Sequence, residues 1–182
     1  MTRPKQNRSS GLARLAGMAS LFILLVAAVG AQAQVLQVIH DFRETPDGNG
    51  PEAGVIRDSA GNLYGTTTEG GAHGWGLVFK LTHQGAGWTL VPLYSFPDPY
   101  DVGGNGAEPY APVIFGSDGS LYGTTQYAGY QSLCCGTVFK LTPPATICKT
   151  AICYWTETIL YAFTGGSDGG QPVSPVVFDS GG

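Results

Sequence analysis

The chain has 182 residues with 9 basic and 13 acidic side chains, 28 glycines and 12 prolines, and 43% of it is hydrophobic. That apolar fraction argues against a disordered chain, and 12% charge beside so many turn-formers points to short strands joined by tight turns. Four of the nine basic residues precede Ala33, so the remainder carries five against thirteen acidic ones, a balance of −8 that argues against nucleic acid and anionic membrane surfaces as partners.

Residues 1–33 have the form of an export signal. Arg3, Lys5, Arg8 and Arg14 precede an apolar run over 18–29 and a small-residue cleavage site Ala31-Gln32-Ala33. The uncharged stretch over 18–33 is shorter than the ~20 apolar residues that a spanning helix needs, so no membrane span is expected once the signal is removed. The protein is therefore expected to be exported, whether secreted, periplasmic or at the cell surface, with residues 34–182 forming one domain.

Laid against itself, that domain repeats. Residues 51–67 return at 109–125 with an offset of 58, both ending in Leu-Tyr-Gly-Thr-Thr, and 76–82 return at 136–142 with an offset of 60, both ending in Val-Phe-Lys-Leu-Thr. A third copy opens at Leu160-Tyr161-Ala162-Phe163, matching Leu93-Tyr94-Ser95-Phe96, and stops where Leu-Tyr-Gly-Thr-Thr is due. The repeats run over about 36–91, 92–158 and an incomplete 159–182.

Within a repeat the period is two, with Leu77, Phe79 and Leu81 on one face and Val78, Lys80 and Thr82 on the other. Asp58-Ser59-Ala60-Gly61-Asn62 and Ser117-Asp118-Gly119-Ser120 supply hairpin turns. Each repeat is expected to hold four short antiparallel strands: one ending at Phe42, Phe96 or Phe163, one at Val55-Ile56 or its equivalent, then Leu-Tyr-Gly-Thr-Thr, then Val-Phe-Lys-Leu. Gly65 and Gly123 fall inside strands, which implies a close approach there, the simplest agent being the backbone of a neighbouring repeat. The fold class is all-β, with about two and a half β-propeller-like blades and further repeats of the same kind expected, since about four to eight blades close a ring.

At Gly61-Asn62-Leu63-Tyr64-Gly65-Thr66-Thr67, Gly70-Gly71, Gly76-Leu77-Val78-Phe79-Lys80-Leu81-Thr82 and the linking segment 160–169, the chain resembles the choice-of-anchor tandem repeat GloVer family of bacterial exported proteins. The resemblance covers nearly all of the mature chain. It implies an export signal, tandem repeats and a C-terminal surface anchor, and it brings no catalytic activity with it.

Cys134, Cys135, Cys148 and Cys153 are disulfide candidates in an oxidising compartment. Adjacent cysteines rarely bridge each other, so Cys134 and Cys135 are each expected to reach one of Cys148 and Cys153. A zinc site is the alternative, against which stand the lack of a Cys-x-x-Cys pair and of a nearby His. His40, His73 and His83 keep no metal-ligand spacing. The cluster 70–76 lacks the following helix that a phosphate loop requires.

No cofactor is expected. Calcium is the one ion for which oxygen donors recur, at Asp47-Gly48-Asn49-Gly50, Gly104-Asn105-Gly106 and Ser167-Asp168-Gly169, with turn formation as the competing explanation. Asp98 and Asp101 have no spacing that supports acid/base work. The loop aromatics Trp75, Tyr100, Tyr110, Tyr127 and Tyr130 are candidates for ligand recognition, stacking on sugar rings or anchoring a protein. Together these favour an exported non-enzymatic module, structural or binding carbohydrate or protein. The alternative is a fragment of a propeller hydrolase or lyase acting on extracellular polymers. Unequal polar residues in particular repeats would favour an enzyme; the copies differ mainly in loop length and cysteines, which favours a module.

Overall fold

The structure, a computed structural model, describes residues 35–43, 45–100, 105–128, 134–145 and 153–181. Residues 1–33, where an export signal is expected, lie outside the described residues, and all the strands belong to the compact unit Val38–Gly182. Strands β1 (Ile56–Arg57), β2 (Leu63–Thr67), β3 (Leu77–Gln84) and β4 (Gly87–Ser95) form one antiparallel sheet in chain order. Strands β5 (Ile114–Phe115), β6 (Leu121–Thr125), β7 (Thr137–Thr142) and β8 (Thr156–Ala162) form another. The chain is all-β: among the described residues there is no helix, and none therefore that is long and apolar enough to cross a membrane.

Local chemistry sets the turns. Between β1 and β2 the Asp58 carboxylate accepts from Asn62 N at 2.9 Å and Asn62 Nδ2 at 2.7 Å. Between β5 and β6 the carboxylate sits two places later, yet Asp118 accepts from Ser120 N, the equivalent amide, at 3.0 Å. One unpaired turn donor is satisfied in both hairpins from different sequence positions. Gln84 pairs with Gly87, leaving Gly85-Ala86 as a two-residue turn whose first position has φ +60°, the conformation that glycine adopts without strain. Pro92 lies on the edge strand β4, next to the bulge at Val78/Phe79, where the missing N–H is tolerated.

The two sheets share a register. Leu63 pairs with Leu81 and Gly65 with Phe79; Leu121 pairs with Leu141 and Gly123 with Phe139. These pairs correct the expectation for the strand glycines. A Cβ on Gly65 would stand 2.6 Å from Phe79 Cζ and 3.1 Å from Val55 Cγ1, and one on Gly123 would stand 2.6 Å from Phe139 Cζ. The close neighbour is the ring of the residue's own cross-strand partner, and not the backbone of another repeat.

The strand that leads into Phe96 completes the sheet of the preceding Val-Phe-Lys-Leu strand. Sequence repeat and sheet are therefore out of phase, and Phe96 at the end of that strand crosses to the next sheet, where its ring meets Phe139 at 5.3 Å. The sheets pack through Tyr64, Val78, Leu93 and Phe96 of the first against Val113, Leu121, Phe139 and Leu141 of the second. Tyr64 meets Phe115 edge-on at 5.0 Å, and Thr66 Oγ1 donates to the Ala111 carbonyl at 3.2 Å. The same contacts recur one repeat later, with Tyr122 on Phe178 at 5.0 Å and Thr124 Oγ1 donating to Ser174 O at 3.1 Å. The outer face of the second sheet has a cavity of about 680 Å³ bounded by Tyr122, Val138, Leu160, Val177 and Phe178.

The cysteine expectation is corrected as well. The sulfurs of Cys134 and Cys135 are joined to each other, and Cys153 is also disulfide-bonded; Cys148 lies outside the described residues. The register gives the reason for Cys153. Thr137 pairs with Ala162 and Thr142 with Thr156, so the adjacent pair precedes one end of β7 while Cys153 precedes β8 at the other. Five residues of strand separate those ends by about 17 Å, well beyond the reach of a disulfide.

Candidate functional site

Beyond β2 the chain stays extended, and Asn49 and Glu69 exchange backbone hydrogen bonds of 2.8 and 3.0 Å. One repeat later Ala107 and Tyr127 do the same at 3.0 and 3.1 Å. The two copies are tied together there: Glu108 N donates to Trp75 O at 3.1 Å, while the Glu108 carbonyl accepts within its own copy from Gln126 N at 3.0 Å. Gln171 N donates to Cys135 O at 2.7 Å in the equivalent place. Glu108 and Gln171 have φ of 56° and 53°, unusual for residues with a side chain, and the matching position of the first copy is Gly50, with φ 65°. Because this conformation recurs, it belongs to the framework; only the side chain it carries varies.

These ties bring loop aromatics together. The rings of Trp75 and Tyr100 lie 6.2 Å apart at 57°. With Pro99, Glu108, Tyr127 and Ala128 they line a cavity of about 160 Å³. A shallower cleft of about 390 Å³ adjoins it, sharing Trp75 and Glu108 and adding Asn49, Glu69 and Gly70. Burial, and then the negative charge of Glu69, raise the Glu108 carboxyl above its ordinary value. Burial also raises Tyr110, followed by the charges of Glu108 and Glu52, which places that phenol in the same acidic field. The described cations lie elsewhere: Arg43 with Asp41 at 3.5 Å, Lys140 with Asp118 at 2.7 Å, Lys80 over the Tyr64 ring at 5.5 Å, and Arg57 with its guanidinium beside Gly61. Among the described residues no ion pair reaches Glu52, Glu69 or Glu108.

A repeating pair of sheets with one shared register and one shared mode of packing is the structural counterpart of a sequence match: residues 25–182 match the Gloeobacter/Verrucomicrobia repeat. The chain belongs to this family. No curated protein and no solved structure matches it.

Of the aromatics singled out in this GloVer chain, the fold brings Trp75, Tyr100 and Tyr127 to one cavity and sets Tyr110 beside their carboxylates; Tyr130 lies outside the described residues. Glu69 and Glu108 were missed as site residues. A signal was present in the alignment of the copies: Glu69 corresponds to Tyr127, Glu52 to Tyr110, Trp75 to Cys135, and Glu108 to Gly50 and Gln171. The copies thus differ at the cleft as well as in loop length and cysteines.

The loops offered as calcium sites are turned toward aromatic or imidazole partners on the strand-ending segments. His40 Nε2 stands 3.5 Å from Asp47 Oδ2, Asn105 Nδ2 donates to Tyr94 Oη at 3.4 Å, and Tyr161 Oη donates to Asp168 Oδ2 at 2.9 Å. Asp98 accepts from Tyr100 N at 2.9 Å and so shapes the turn that presents that ring, while Asp101 lies outside the described residues. Among the described residues no three His, Cys, Asp or Glu side chains gather as a metal-binding group.

Proposed function

We propose that this chain is an exported, non-enzymatic binding module whose sheets are propeller-like blades, and that it takes a carbohydrate or protein ligand at the cleft of Trp75, Tyr100 and Tyr127. The observation that carries this reading is the convergence of three loop aromatics, remote in sequence, on one cavity at the junction of two repeats. Aromatic faces give large contact area at small entropic cost, and Tyr100 is 70% exposed, so its ring is available to a partner. Export rests on the signal over 1–33, and the blade reading on the same contacts being made to the first sheet by the second and to the second sheet by the segment 174–178. Those contacts also suggest that a further repeat covers the outer face of the second sheet.

The chain from the exported fraction, compared with Trp75→Ala and Tyr100→Ala, tests the site on immobilised polysaccharides and extracellular proteins. Retention of the wild type and its loss in both variants is expected; equal retention of all three would remove the cleft from the proposal. One observation favours an enzyme instead, the two mutually repelling carboxylates Glu69 and Glu108, since glycoside cleavage uses such a pair. Release of soluble sugar from an extracellular polymer, abolished by Glu69→Gln, would decide for that reading.

A further inference from the structure

The cavity under Tyr100 combines two features that the loop aromatics alone do not explain. Its walls are the side chains of Trp75, Tyr100 and Tyr127 with Pro99 and Ala128, and its one charged group is the Glu108 carboxylate, which no cation of this chain among the described residues answers. Ring faces carry negative potential from their quadrupoles, and a carboxylate at the wall adds a full charge in a partly desolvated place. An anionic ligand meets repulsion from both. A neutral ligand gains contact area and hydrogen bonds and leaves the charge unanswered. A small organic cation gains from the rings and the carboxylate together, and it relieves the repulsion between Glu108 and Glu69.

Resting on the reading of this cleft as a ligand site, we infer that the cavity formed by Trp75, Tyr100, Tyr127 and Glu108 binds an organic ammonium group. At about 160 Å³ it admits one such head and its carbon stem, and not a polymer segment, which would lie along the neighbouring cleft past Glu69. A lysine side chain and an amino sugar both carry this chemistry. The backbone at Glu108 offers a clean variant. The third copy places Gln171 there at nearly the same φ, so Glu108→Gln removes the charge at a position where the fold already accepts glutamine.

The test follows the Trp75 indole N–H by NMR in the 15N-labelled chain, with the resonance assigned by its loss in Trp75→Phe. The probes are Nα-acetyl-lysine amide against its Nε-acetylated form, and a glucosamine tetramer against the N-acetylglucosamine tetramer. Saturable shifts from an ammonium probe and none from its neutral counterpart are expected, and whichever ammonium probe binds names the source. Glu108→Gln should weaken binding by about tenfold. Neutral probes binding as tightly as charged ones, or an unchanged affinity in Glu108→Gln, would overturn the ammonium assignment while leaving the ligand cleft in place. If no probe moves the Trp75 resonance, the assignment falls, and the polysaccharide and protein retention experiment decides the cleft separately.

Discussion

Glu157 stands at the seam between the sheets, where Tyr94 Oη donates to its Oε2 at 2.6 Å while Oε1 is buried without a hydrogen-bond partner. Burial pushes this carboxyl from its ordinary 4.5 up to about 7. The folded chain therefore holds the proton in a range where the unfolded chain has released it, so stability falls as pH rises from about 4.5 to about 7 and levels off above. The loss from this one group is on the order of 3 kcal/mol. Glu157→Gln should be more stable than wild type at pH 8 by a similar amount and lose most of the fall across that window in urea titrations, Glu108 contributing the remainder; a wild-type curve rising from pH 5 to 7 would reject the account. Asp118 and Asp168, held down at about 2 chiefly by hydrogen bonds from Lys140 and Thr164, act in the opposite sense, losing their contribution as pH falls below the usual carboxylate range. At Gly123 the constraint is space. Gly123→Ala would drive a methyl against Phe139 Cζ and Val113 Cγ1, and should cost about 1–3 kcal/mol in chemical denaturation. Phe139→Leu in the same chain should cost less than the sum of the two single changes, because one clash is shared.

Between elements, the hydrogen bonds from the Leu-Tyr-Gly-Thr-Thr strands test how repeats couple. Thr66→Val leaves the Ala111 carbonyl unpaired at a buried junction and should cost about 1–2 kcal/mol. Thr124→Val should cost less, because Ser174, its acceptor, is exposed and water can take the place of the hydroxyl. A smaller loss for Thr66→Val than for Thr124→Val would show that the sheets are not coupled through this contact. Strands β2, β3, β6 and β7 were legible in the sequence because alternation and repetition coincide in them. The partner of the strand ending at Phe96 was not, since periodicity says that a segment is a strand and nothing about which neighbour it joins. Trp75, Tyr100 and Tyr127 were legible as loop aromatics because large rings are costly to leave exposed without use. Glu69 and Glu108 were not, since a glutamate beside glycine or proline is what any solvated turn contains. Their meaning depends on the absence of a counter-charge, which only the assembled loops reveal. The Cys134–Cys135 pair escaped because a local rule about neighbours was set against no knowledge of strand ends.

At the scale of the molecule, Leu93 and Leu160 are the same repeat position in opposite surroundings: Leu93 is 3% exposed between the sheets and Leu160 is 51% exposed on the outer face. Leu93→Asp should abolish folding, as burying an unpaired charge costs several kcal/mol. Leu160→Asp should leave the thermal transition within a few degrees of wild type and reduce light scattering at high concentration, because it breaks an exposed apolar patch. If both variants melt alike, the two faces are not what their positions make them. The offset between sequence repeat and sheet has a consequence for heredity. A block of 58 to 60 residues copied by recombination can begin at any point of the cycle and still deliver the strands of one whole sheet, since each copy finishes what its predecessor left open. Such a gene can gain or lose units without a new junction having to be invented, and selection is left to act on the few loop positions where one unit differs from the next.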